Sequence, residues 1–177
     1  NGAVEKAVDQ FMGLFRAIKI GLGRRIGTKV ETTWPVLTWI AEHARMMLNR
    51  YQVGRDGRTA YRRVLGKDCV QKVVEFGEQV HVKPKRRPSA NRKQALDSKW
   101  KTGTWVGMTS RSNEHIVIIP DGGLGYAIRA RTVRRMSADQ RWSAEAIRNI
   151  SATVKNPVPK ITECVTPAAG EPSVVYA

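Results

Sequence analysis

Cysteine is scarce: the 177 residues hold only Cys69 and Cys164, and neither belongs to a CxxC pair. A disulfide framework is excluded, and a reducing intracellular compartment is the simpler setting. His43, His81 and His115 lie far apart and have no cysteine at zinc-finger spacing, which argues against a structural zinc site. Long apolar runs are also missing. Stretches such as Val36-Leu37-Thr38-Trp39-Ile40-Ala41 fall well short of the roughly 18 residues of a membrane span. No P-loop, dinucleotide glycine pattern, HExxH or GxSxG occurs, so the common nucleotide, zinc-protease and esterase chemistries have no motif here.

Acid is the most telling shortage. Fifteen Asp and Glu stand against 31 Lys and Arg, a formal net charge of +16. Such an excess points to a polyanionic partner, usually nucleic acid and sometimes an acidic membrane surface. Apolar residues at 41% are enough for a folded domain, so wholesale disorder is not expected. The chain opens on Asn1 without a signal-like segment and reads as a piece of something longer.

Val4, Val8, Phe11, Phe15 and Ile18 recur at spacings of four and three, which predicts an amphipathic helix from Asn1 to about Ile20, broken by Gly21, Gly23 and Gly27. A second helix is expected from near Thr33 to Tyr51, with Pro35 in its first turn and an apolar stripe of Trp39, Ile40, Ala44, Met47 and Leu48. Thr59 is placed to cap a short third helix that ends at Gly66.

Near Val73 the period changes to two. Residues 78–83, 100–108, 115–119 and 126–133 read as four short strands, with Gly103 and Gly107 as bend or bulge positions. Between the first two strands runs a basic, proline-containing loop from Lys83 to Lys93. A short helix is expected at about 143–150. From about Ser151 the prolines and small residues read as a tail.

Two features carry possible chemistry. Glu5 sits in the first turn of a helix, where a carboxylate simply favours the positive helix end. The functional reading makes it a ligand for a divalent cation, with Asp9 one turn on. The second is the basic strand region, where Asp97 is the only acid between Lys83 and Lys101. Lys83, Lys85, Arg86, Arg87, Lys99, Lys101, Arg129 and Arg131 are the candidate phosphate contacts, largely blind to base sequence. Arg129 and Arg131 are expected on one strand face, opposite Ile128 and Ala130. Trp34, Trp39, His43 and Cys69 read as packing residues, and no more than one of Trp100 and Trp105 should face the core.

Asn1-Gly2-Ala3-Val4-Glu5 resembles the NGxxE segment that carries the last catalytic carboxylate of DDE-type integrases. Trp39 to Arg50, followed by Gly54-Arg55-Asp56-Gly57-Arg58-Thr59-Ala60-Tyr61, resembles the HAxxLxNR…DGxTPYE region of copia-type retrotransposon integrases. Phe76-Gly77-Glu78-Gln79-Val80 is similar to the FGexV that opens their C-terminal barrel. Trp105-Val106-Gly107 with Glu114-His115-Ile116-Val117 resembles later strands of that barrel, and Arg141-Trp142 is similar to the RW just beyond it. Ala60 stands where the family usually has Pro, and Arg62 where it often has Glu.

The likeness covers about residues 1–150 and implies an α+β chain. Residues 1–67 would be the last helices of an RNase H-like catalytic core, 73–136 a small SH3-like DNA-binding β-barrel, and 137–177 a short helix and a flexible tail. It implies a parent integrase or Pol polyprotein that performs 3′-processing and strand transfer on duplex DNA. Such a parent uses two Asp and one Glu around Mg²⁺ or Mn²⁺ and works as a homo-oligomer in the nucleus or a virus-like particle. Only the Glu position, Glu5, is matched, so this chain alone is expected to take no metal and to bind DNA without catalysis. The alternatives from other classes are a chromatin-reading barrel and an RNA-binding module.

Overall fold

In the computed structural model the described residues are 2–70, 74–84, 100–121 and 124–159. Three helices come first: α1 (Gly2–Ile26), α2 (Val36–Tyr51) and α3 (Ala60–Leu65). Five strands come next: β1 (Gln79–Val82), β2 (Lys101–Met108), β3 (His115–Asp121), β4 (Leu124–Ala130) and β5 (Val133–Arg135). A 3₁₀ turn (Ala138–Gln140) and α4 (Ala144–Arg148) close the described chain. The strands form one antiparallel sheet in the order β4-β3-β2-β1-β5, so the chain is α+β.

The first helix is longer than its glycines suggested. It continues through Gly21 and Gly23 to Ile26, and only Gly27, at φ 67°, ends it. The left-handed turn at Gly27 lets Thr28 N–H bond back to the Gly23 carbonyl at 3.1 Å. Arg24 and Arg25 in the last turn offset the negative helix end. The apolar stripe is real but only half covered. Phe15 and Ile18 pack at the core edge and Leu22 is buried, whereas Val4 and Val8 are 65% and 54% exposed.

Thr59 caps α3 by accepting from Arg62 N–H at 3.0 Å, and Gly66 ends it, as the sequence requires. The stretch expected as one fourth strand is two. β4 stops at Ala130, and after Arg131 and Thr132 the chain re-enters the sheet as β5 on its far edge, beside β1. That three-residue step spans at most about 10 Å, so it draws the two edges of the sheet together there. The bulge falls between Trp105 and Gly107, where β2 shifts register against β3.

Both faces of the sheet are buried. Ile118, Val106 and Phe76 pack with Leu22, Val36, Trp39 and Ile40 from the helices and with Ile147 from α4. On the other face Val80, Val82, Trp105, Val117, Ile119 and Ala130 close on one another, with Met46 of α2. Segments 1–67 and 73–136 therefore share one core. Each large apolar side chain fully buried there contributes about 1.5–3 kcal/mol.

The stretch from Ser151 packs as well, as far as it is described. Ala152 is buried and its carbonyl accepts from Trp39 Nε1 at 2.8 Å, while Pro157 O accepts from Ala127 N–H at 2.7 Å. Small residues let this strand-like piece lie close against α2 and β4, which is why its composition looked like a tail. Residues 160–177 lie outside the described chain.

At the start of the sheet, Glu78 is fully buried. Its carboxylate accepts two hydrogen bonds from Arg135, at 2.7 and 2.9 Å, and Arg141 Nε lies 3.2 Å away. The same bonds hold the Arg135 proton more tightly than usual. Arg135 is thus a structural partner of β1 rather than a free cation.

Candidate nucleic-acid interface

Val82 fixes the geometry. It pairs with Lys101 of β2 on one side and with Val133 of β5 on the other. Lys83 comes directly after it, and Arg131 and Arg134 flank Val133 within two residues. Four cations from three strands and their connections are therefore set around one corner of the sheet, and none of them makes an ion pair among the described residues. The basic segment seen in the sequence leaves this corner at Pro84 and returns to it at Trp100. Its Lys85, Arg86, Arg87 and Lys99 lie outside the described residues.

Aromatics hold two of these cations in place. The Arg134 guanidinium lies 4.6 Å from the Trp100 ring centre, a cation–π distance. Lys101 Nζ donates to the Tyr126 hydroxyl at 3.4 Å. The Trp pair divides as its odd spacing requires: Trp105 is fully buried, while Trp100 lies half-buried at the corner.

Arg129 belongs elsewhere. It pairs with Ile116 and shares the sheet face that packs on the helices, opposite Ile128 and Ala130. It lines a separate cavity of about 420 Å³ with Glu42, Arg111 and Pro157. Along β2 and β3 that position is about 20 Å from Lys101. The expected shared face of Arg129 and Arg131 does not form, because β4 ends at Ala130: Arg131 lies at the corner with Arg134, Arg129 in a groove, and Arg135 on Glu78.

Searches against family models, curated proteins and solved structures return no match. What the chain can do rests on its own residues.

Glu5 is exposed in the first turn of α1, with Asp9 one turn on and also exposed. Among the described residues no three His, Cys, Asp or Glu side chains come together as a metal site. A hard divalent cation needs converging oxygens, and two solvated carboxylates on one helix do not supply that.

The residues that carry the integrase likeness have structural work instead. His43 is buried between Phe76 and Trp105, with ring centres 5.2 and 5.4 Å away. Its Nδ1 has no hydrogen-bond partner among the described residues, and burial lowers its pKa to about 4. Trp105 Nε1 donates to His115 Nδ1 at 3.1 Å, and burial lowers the His115 pKa too.

Sequence reasoning missed Arg50, which looked like an ordinary helix-closing cation. It is 3% exposed and lies 5.6 Å from the Tyr61 ring centre. Its Nη2 donates to Thr109 O at 2.9 Å and to Asn113 Oδ1 at 2.7 Å. The signal available was its place one turn below the Met46-Met47 stripe, on the helix face that meets the sheet. Cys69 is half-buried rather than buried, with its sulfur 3.7 Å from Tyr51 Oη.

Proposed function

We propose that this chain is the DNA-binding part of a copia-type retrotransposon integrase, with residues 73–136 as an SH3-like barrel and residues 1–67 as the last helices of an RNase H-like core. The observation that carries the reading is the corner around Val82, where Lys83, Lys101, Arg131 and Arg134 stand within two residues of one three-strand register, Lys101 on the Val82 face and Arg134 on the opposite one, without acidic partners among the described residues. Like charges repel, and four along one rim of the sheet are best explained by a polyanion that runs past it. Contacts of this kind grip the backbone of a duplex and do not read its sequence.

The half-covered stripe of α1 fits the same reading, because Val4 and Val8 would find apolar partners in the rest of a catalytic core. In an intact parent, Glu5 would complete a carboxylate set for Mg²⁺ or Mn²⁺, and homo-oligomers would act in the nucleus or a virus-like particle. The residues present do not fit such a metal pair alone. No catalytic step is assigned to this chain.

The test is a titration of labelled duplex DNA, read by anisotropy over a range of salt. Each phosphate neutralised contributes a log–log slope of about −0.9, so the four cations predict a slope of about −3 to −4 or steeper. An affinity that does not change with salt overturns the proposal. Salt-matched competition in which RNA displaces the duplex at lower concentration replaces DNA with RNA as the partner.

A further inference from the structure

A second basic feature shares no residue with that corner. The last turns of α1 and the turn after it enclose a trench of about 620 Å³, lined by Arg16, Lys19, Ile20, Gly23, Arg24, Gly27, Thr28, Lys29 and Val30. Its wall is predominantly apolar. Ile20 is 55% exposed there, and Val30 is buried behind it. Arg16, Lys19, Arg24 and Lys29 rim the trench, and no acidic residue lines it among the described residues. None of the four makes an ion pair among the described residues. The trench exists because Gly27 folds the chain back over α1, which brings Thr28 N–H to the Gly23 carbonyl at 3.1 Å.

We propose that this trench is a docking site for an acidic peptide segment of a partner protein, anchored by one or two large apolar side chains. The apolar wall and the cationic rim make complementary demands. An apolar floor gives little to a sugar–phosphate backbone, which seeks hydrogen-bond donors along its length. It suits a Leu or Phe side chain, and the volume falls in the range of pockets that enclose small ligands, about 300–1,000 Å³. The rim then selects carboxylates on either side of the anchor. The negative end of α1 opposes them with only about half a charge, against four full positive charges. Acidic motifs read by Arg and Lys clusters around an apolar anchor are a common form of peptide recognition.

The probe is a fluorescein-labelled polyglutamate peptide with a central Phe-Leu pair, titrated with the full chain. A matched peptide with Ala-Ala at the centre is the control for bare charge attraction. Docking predicts that the Phe-Leu peptide binds about tenfold or more tightly than the Ala-Ala peptide. Ile20→Lys adds charge but removes the anchor contact. It should weaken the Phe-Leu peptide about tenfold and leave the Ala-Ala peptide equal or slightly tighter. Lys19→Gln with Lys29→Gln should weaken the Phe-Leu peptide, whereas the charge-matched Arg55→Gln with Arg58→Gln should not. Ile20 and Lys29 are exposed and Lys19 is half-buried, and a thermal melt of both trench variants checks that they fold.

Equal affinity for the two peptides overturns the proposal, as does an Ile20→Lys protein that binds the Phe-Leu peptide unchanged. So does an Ile20→Lys protein that loses duplex DNA as strongly as peptide, which would make the trench part of the nucleic-acid surface. Loss of DNA binding on mutating Lys101 and Arg131, with the peptide retained, leaves the docking site standing by itself.

Discussion

Arg50 Nη2 donates to Asn113 Oδ1 at 2.7 Å, and this bond joins the last turn of α2 to the turn between β2 and β3. Asn113 holds a positive φ of 55°, and its Nδ2 donates onward to Tyr61 Oη at 3.3 Å. One buried guanidinium therefore organises α2, α3 and the β2–β3 turn together. Arg50→Lys keeps the charge but cannot reach both Thr109 O and Asn113 Oδ1. Hydrogen bonds made by a charged group are worth about 1.5–3 kcal/mol each, so the variant should lose about 2–4 kcal/mol in urea denaturation.

His43 gives the fold a pH dependence of definite sign. Its pKa is about 4 in the folded chain and near 6.5 when unfolded, so the unfolded state binds more protons between those values. Stability is therefore complete above about pH 6.5 and falls as the pH drops toward 4. Between pH 7 and pH 5 the loss from this residue is about 2 kcal/mol, measured by urea denaturation at each pH. His43→Leu should remove most of that loss. A smaller slope of the same sign should remain from His115, which burial shifts in the same direction.

Gly77→Ala tests how tightly the sheet is set against α1. Gly77 adopts φ 85°, and a Cβ there would lie 2.5 Å from Leu22 Cδ1. The left-handed backbone costs a non-glycine residue about 1–2 kcal/mol, and overpacking adds about 1–3. A thermal melt should show a destabilisation of about 2–5 kcal/mol, with the single transition kept.

The corner around Val82 predicts an uneven response among the cations. Lys101→Gln with Arg131→Gln should weaken duplex binding about tenfold and reduce the salt slope by about two. Arg129→Gln, in its separate groove, should change affinity less than twofold. Glu5→Ala should leave duplex binding unchanged, since α1 holds Glu5 away from the sheet. Anisotropy titrations at fixed salt check the three affinities, and repeating them over a range of salt checks the slope.

Local rules were legible wherever local chemistry decides the outcome. Thr59 and Gly66 bound α3 to the residue, because capping needs only a few neighbouring atoms. The alternation at 78–83 marked a strand that the structure places at Gln79–Val82, and the expected strand at 100–108 forms as Lys101–Met108. Gly21 and Gly23 misled, because a helix that docks on a core and is closed by Gly27 tolerates glycine at about 1 kcal/mol each. The break at Arg131-Thr132 was hidden because a strand that switches edges keeps its alternating pattern on both sides. Glu78 and Arg135 sit 57 positions apart, and no local pattern joins them. For the candidate interface, the sequence named the right residue types, but only the pairing of Val82 with both Lys101 and Val133 separates the corner from Arg129.

The length of α1 has a mechanical consequence. Its 25 residues make a rod of about 37 Å, clamped at one end where Leu22 meets Phe76 and Ile147 and carrying Glu5 near the other. Because the clamp is shared with the sheet, the Leu22 contact is what relates the rod to the Val82 corner. A duplex bound at that corner, as proposed, would stand off from Glu5 by a reach that the length of α1 supplies.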